Sequence, residues 1–89
     1  MTTRTFDFMG KGPSTQTVTF PPGIVNKHSH VLASITELKI QDKDTPHPGG
    51  AVMTVHNIVP HDDGTVSVYV NIEWGDPLLT RLTVVVLDF

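Results

Sequence analysis

The sequence predicts an all-β domain, and three observations carry that prediction. Valine, threonine and isoleucine supply 12, 12 and 5 of the 89 residues, against two alanines and two glutamates. β-Branched side chains lose rotamer freedom against a helical turn but pack well on a pleated sheet. Glycine and proline, seven of each, cluster in short segments, and apolar and polar residues alternate between some of those segments. We therefore expect one antiparallel β-sandwich domain that covers residues 1–89.

Six strands are predicted, separated by five clusters of glycine and proline. The clusters are residues 10–13, 21–23, 46–50, 62–64 and 75–77, and these residue types favour turns. Six short runs at this spacing are typical of an antiparallel sandwich. In chain order the predicted strands are Thr3–Met9, Thr15–Phe20, His30–Ile40, Ala51–Val59, Thr65–Trp74 and Leu79–Leu87.

The third and fifth predicted strands carry the most informative patterns. In the third, Val31 and Ile35 keep one phase whereas Leu38 and Ile40 fall in the other. This change predicts a bulge or a bend near Thr36. In the fifth, strict alternation predicts one buried and one wetter face. The residues of its buried face are Val66, Val68, Val70, Ile72 and Trp74.

The last predicted strand is apolar on both faces, since residues 83–87 read Thr-Val-Val-Val-Leu. Such a strand is expected to be covered on both sides. A sandwich of this length buries a smaller share of its surface than a larger domain does, and without cysteine it has no disulfide to compensate. We therefore expect a homo-oligomer of closed symmetry whose interface includes this strand and Phe89.

The charge and the lack of a long apolar run argue against several classes of partner. Six Lys and Arg residues against nine Asp and Glu give a net charge of −3, with no run of cations. We therefore expect no nucleic-acid or anionic-membrane binding and, without an apolar run of about 20 residues, no membrane insertion. The first residues lack the features of a secretory signal, which predicts a cytoplasmic protein or one exported without a signal peptide.

Catalytic and metal-binding patterns are weak. His28 and His30 would share one side of an extended segment and could hold a transition metal, with His61 or the adjacent Asp62 and Asp63 as further ligands. Solvated loop histidines are the commoner explanation of such a pair. The same aspartates precede a glycine as in a hairpin turn, where glycine takes a positive φ. No serine lies in a nucleophile-elbow pattern, so we predict no enzyme, no metal and no cofactor.

The segment from Trp74 to Pro77 is the most distinctive feature, because it sets the only tryptophan at the end of the best strand. One interpretation is that Trp74 packs in the core or in a subunit interface, since it continues the apolar phase of the fifth predicted strand. The other is an aromatic platform that stacks on the C–H face of a sugar while Asp76 accepts hydrogen bonds from hydroxyl groups.

The order of several segments resembles the H-type lectin domain, the family of the snail agglutinins and of the C-terminal domain of discoidins. The resemblance covers Thr15–Phe89, and its most specific part is Ser34-Ile-Thr-Glu-Leu38. The other matching segments are residues 18–20, 31–40, 52–60, 73–74 and 83–89. The resemblance implies a six-stranded antiparallel sandwich that forms a homotrimer or a higher oligomer. It also implies galactose- or N-acetylgalactosamine-type glycans bound in clefts between subunits, with Trp74 packed at the sugar.

The chain departs from that family at two expected sugar-binding positions. Gly75 stands where a snail agglutinin has histidine, and Gly50 aligns with a sugar-contacting arginine. The loss of these donors predicts a low affinity, a different sugar, or compensation by His47 and Asp76. The family's other contacts come from the loop before the second strand, where Lys11 is the candidate donor.

Three functions follow in order of preference. The first is a multivalent glycan-binding lectin, in which linked weak sites gain avidity. The second is a trimerising structural or receptor-binding module of a larger appendage, such as a phage tail fibre. The third is a small metal-dependent enzyme that uses the histidines.

Overall fold

The computed structural model describes residues 1–87, which form an all-β structure with six strands and no helix. All six predicted strands are present. They are β1 (Thr2–Gly10), β2 (Gly12–Thr19), β3 (His30–Glu37), β4 (Val52–Pro60), β5 (Thr65–Glu73) and β6 (Leu78–Leu87). Over the same residues, nothing meets the length and apolarity that a membrane-crossing helix requires.

The strands form two three-stranded antiparallel sheets. Sheet I has the order β1-β6-β3 and sheet II the order β2-β5-β4. Every connection except the turn between β4 and β5 passes from one sheet to the other. The antiparallel sandwich predicted from the strand spacing is therefore confirmed for residues 1–87.

The core lies between the two central strands, β5 and β6. The alternation predicted for β5 is confirmed, because the side chains from Val66 to Ile72 on its apolar face are at most 1% exposed. Val25, from the connection between β2 and β3, is also buried in this core. Trp74 does not belong to it: the residue lies beyond the end of β5 with 49% of its surface exposed.

Strand β6 is covered fully on one face only within this chain. Its inner face packs in the core, where Leu82, Val84 and Val86 are buried. On its outer face, Val85 and Leu87 are only partly buried. Cover for that outer face by a second copy therefore stays a prediction, and the part predicted for Phe89 lies outside the described residues.

The prediction of an irregularity near Thr36 is wrong. Strand β3 pairs with β6 without a register shift from His30 to Glu37. The register shift of the described strands lies instead in β4, between Val55 and Asn57.

The change of apolar phase in the third strand has a different cause, because β3 ends before it. The N–H of Leu38 donates to the carbonyl of Leu79 at 2.9 Å, and Leu38 forms an isolated bridge with Pro46. Its side chain is buried there, whereas Ile40 is exposed in the following loop. The two residues therefore share no sheet face.

Candidate functional site

The strand topology brings three connections to one end of the sandwich. The turn between β1 and β2 contains Lys11, and the turn between β5 and β6 contains residues 74–77. The pairs Gly10↔Leu78 and Gly12↔Ile72 place these turns side by side. The connection between β3 and β4, residues 38–51, reaches the same end because β4 begins opposite Glu73. We call this region the Trp74 end.

All six sugar-binding candidates from the sequence lie on these three connections. They are Lys11, His47, Gly50, Trp74, Gly75 and Asp76. Lys11, His47 and Asp76 are exposed. Among the residues that the structure describes, the side chains of Lys11 and Asp76 form no hydrogen bond or ion pair, so both are available to a ligand.

Trp74 is a half-exposed aromatic surface with a glycine beside it. The backbone N–H of Trp74 donates to the carbonyl of Ile72 at 3.1 Å. A Cβ atom at Gly50 would lie 3.9 Å from Cζ3 of the indole, in ordinary van der Waals contact. At Gly75 a Cβ atom would meet nothing within 4 Å. The two glycines therefore leave the surroundings of the tryptophan open.

The chain returns toward β3 just before Gly50. The N–H of His47 donates to the carbonyl of Glu37 at 2.8 Å, and the N–H of Gly49 donates to the carbonyl of His47 at 2.9 Å. Nε2 of His47 lies 4.0 Å from Oε2 of Glu37. The Glu37 side chain is 15% exposed, against 45% for His47. His47 and the largely buried side chain of Glu37 thus lie together beside Gly49.

A cleft of about 410 Å³ opens next to this pair. This volume lies within the range of about 300–1,000 Å³ that is typical of small-molecule sites. The lining residues are Glu37, Leu38, Lys39, Ile40, Gln41 and His47. Of these residues, only His47 is predicted as a site residue from the sequence. Glu37 was missed although it lies in the segment most specific to the resemblance, because nothing in the sequence shows that the chain returns to cover it.

An ion-pair network ties the loop of residues 38–51 to sheet I. The Arg81 guanidinium donates to both carboxylate oxygens of Asp7, at 2.9 and 3.2 Å, and to Oδ1 of Asp44 at 3.3 Å. These hydrogen bonds lower the pKa of Asp7 and raise the pKa of Arg81. Within the loop, the hydroxyl of Thr45 donates to Asp42 and lowers the pKa of that carboxyl. The loop that carries His47 and Gly50 is therefore held at several points.

The histidine pair lies at the other end of the sandwich. His28 precedes β3 and His30 begins it, and His61 follows β4. Nε2 of His61 lies 2.8 Å from the hydroxyl of Ser67, and Asp62 accepts a hydrogen bond from the N–H of Lys27. Nowhere in residues 1–87 do three His, Cys, Asp or Glu side chains form a group able to hold a metal ion.

Comparisons with known proteins add no relative to this picture. No family model matches the chain, and no curated protein or solved structure matches it. The resemblance to the H-type lectin domain therefore stays a prediction based on the order of residues.

Proposed function

We propose that this protein is a multivalent carbohydrate-binding lectin that binds galactose- or N-acetylgalactosamine-type glycans at the Trp74 end. The observation that supports this most is the half-exposed indole of Trp74, which lies beside Gly50 and on the same turn as the exposed Asp76. An exposed aromatic surface with a few polar groups around it is a common form of ligand site.

Each of these groups has a matching role toward a sugar. The indole of Trp74 offers a flat apolar surface to the C–H face of the ring. The Asp76 carboxylate accepts hydrogen bonds from hydroxyl groups, and Lys11 donates to sugar oxygens. His47 supplies a further ring nitrogen at the edge of the loop. Neutral hydroxyl groups suit such a mixed set because they both donate and accept.

The two glycines make each site weak by itself. At Gly50 and Gly75 the resemblance implies arginine and histidine, and neither donor is present here. Several weak sites on one assembly still give useful binding, because linked sites gain about 10²–10⁴ over a single one. Multivalency therefore forms part of the proposal.

The proposed assembly is a homotrimer, and the resemblance implies sugar clefts between its subunits. Self-association is supported by the partly apolar outer face of sheet I toward its His30 end, away from Trp74, where Leu32 is 59% exposed beside Val85 in the pairing of β3 with β6. Leu87 continues this apolar surface along β6. Burial of such side chains against another copy stabilises an oligomer.

Light scattering at micromolar concentration is expected to give three times the mass of one chain. Leu32→Lys is expected to lower that mass, because a charge would replace an apolar contact in the interface. Thr54→Lys, an exposed position on sheet II, serves as the control and should leave the mass unchanged. A single-chain mass for the unchanged protein would remove the clefts between subunits from the proposal.

A glycan array probed with the intact protein tests the function itself. We expect binding to glycans that end in galactose or N-acetylgalactosamine, and none to glycans that end in glucose or mannose. If no sugar binds even at a millimolar concentration of that sugar, the lectin proposal fails. The protein is then better described as a trimerising structural or receptor-binding module, which the glycines at positions 50 and 75 would also suit.

A further inference from the structure

We propose that the cleft beside Glu37 and His47 is a second sugar subsite. It would take the unit next to the terminal galactose-type residue of a glycan, while that terminal residue lies against Trp74. This inference rests on the proposed function and adds to it that the protein recognises at least a disaccharide. Three features of the cleft support it: a carboxylate that accepts no hydrogen bond from the described residues, the exposed apolar side chain of Ile40, and the position of the cleft next to Trp74.

The side chain of Glu37 is largely buried, yet its carboxylate accepts no hydrogen bond from the residues that the structure describes. Its side chain is 15% exposed, and the basic group that approaches it within residues 1–87 is His47, at 4.0 Å. A carboxylate that loses water when a ligand covers it needs donors from that ligand to offset its desolvation. No buried side-chain oxygen in this part of the chain is left unpaired, so the free acceptors of Glu37 must still reach solvent.

The cleft suits a ring that carries several hydroxyl groups. An ionised carboxylate accepts hydrogen bonds from two or more hydroxyls. Ile40 supplies exposed apolar surface for C–H groups, and Lys39 and Gln41 supply donors. Hydrogen bonds to a charged group are stronger than those between neutral groups, so Glu37 is the residue on which affinity in this cleft depends.

Two consecutive glycines join the cleft to the tryptophan. A Cβ atom at Gly49 would lie 2.6 Å from Oε1 of Glu37, and one at Gly50 would lie 3.9 Å from Cζ3 of Trp74. Consecutive Cα atoms are about 3.8 Å apart. The carboxylate and the indole therefore approach adjacent residues, and a glycan can pass from one to the other across backbone that carries no side chains.

Calorimetric titration with three probes tests the subsite. The probes are methyl β-galactoside, the β-linked disaccharide lactose and the α-linked disaccharide melibiose. We expect at least one disaccharide to bind about tenfold more tightly than the methyl galactoside, because its second ring reaches a charged acceptor. Glu37→Gln is expected to remove that advantage and to leave the affinity for methyl β-galactoside unchanged.

Two further variants separate the position of the carboxylate from its charge. Gly49→Ala keeps the charge of Glu37 but places a methyl carbon 2.6 Å from the present position of Oε1, which forces the carboxylate to move, so it should also remove the disaccharide advantage. Asp62→Asn makes the same charge change at the other end of the sandwich and should leave all three affinities unchanged. Thermal unfolding of each variant shows whether it is folded.

The outcomes distinguish this inference from the function on which it rests. If methyl β-galactoside binds but neither disaccharide binds more tightly, the subsite is wrong and the lectin proposal stands. The subsite is also wrong if Glu37→Gln weakens all three probes equally or leaves the disaccharide advantage intact. If none of the three probes binds to the unchanged protein, both proposals fail together.

Discussion

Replacing Trp74 by alanine is expected to weaken the binding of methyl β-galactoside at least tenfold, and to leave the fold intact. Tenfold corresponds to about 1.4 kcal/mol, which is within reach of one aromatic ring that stacks and excludes water. The fold should survive because Trp74 is half exposed beyond the end of β5. Its backbone hydrogen bond to Ile72 does not need the indole. Calorimetry and thermal unfolding measure the two effects separately.

The chain supplies a matched control for this variant. Tyr69 is another exposed aromatic residue, at 43%, and lies in the middle of β5 rather than at its end. Tyr69→Ala should leave the affinity for methyl β-galactoside unchanged. Equal affinities for the Trp74→Ala variant and the unchanged protein would mean that the sugar is held elsewhere.

Replacing Leu82 by alanine is expected to lower the free energy of unfolding by about 3 kcal/mol. Leu82 lies at the centre of β6, fully buried, with Phe6 and Ile35 opposite it on the two neighbouring strands. The substitution removes buried apolar contacts and leaves a cavity that a core of two three-stranded sheets cannot readily close. Urea unfolding of the variant and the unchanged protein, at one protein concentration, measures the difference.

Ile40→Ala is the matched control for this variant, because isoleucine and leucine have the same number of atoms. Ile40 is exposed in the loop after β3. Its loss should cost well under 1 kcal/mol, as is usual for surface substitutions. Similar losses for both variants would contradict a core placed between β5 and β6.

The strands were predictable because their patterns are local. Strict alternation in β5 gives its buried face directly from the sequence, and the Val66 side of that strand is buried as expected. The turn before it was also predictable from its residue types. Gly64 takes a φ of 90°, and Asp63 accepts hydrogen bonds from the N–H and hydroxyl of Thr65.

The site was only partly predictable, because its geometry depends on contacts between distant residues. Trp74 could be singled out as the only tryptophan of the chain. The closeness of Gly50 to Trp74 follows from the pairing of β4 with β5 and from the course of a long loop. The start of that loop is held by the hydrogen bond from the N–H of Leu38 to the carbonyl of Leu79, which are 41 positions apart. Local patterns contain no information about such a contact.

The irregularities show the same limit. The sequence predicted a bend near Thr36 from a change of apolar phase, but the phase changed because β3 ends there. The observed register shift, between Val55 and Asn57, had no visible signal in the sequence. The shift arises from the pairing of β4 with β5, and the sequence of one strand does not show how it pairs with its neighbour.

The most direct test of the account uses the single tryptophan, because its fluorescence comes from the proposed site alone. Titration of the intact protein with methyl β-galactoside is expected to change the emission of Trp74 until it saturates, whereas methyl α-glucoside at the same concentrations leaves the emission unchanged. An emission that stays constant up to tens of millimolar methyl β-galactoside, or that responds equally to both sugars, would contradict a galactose-type site at Trp74.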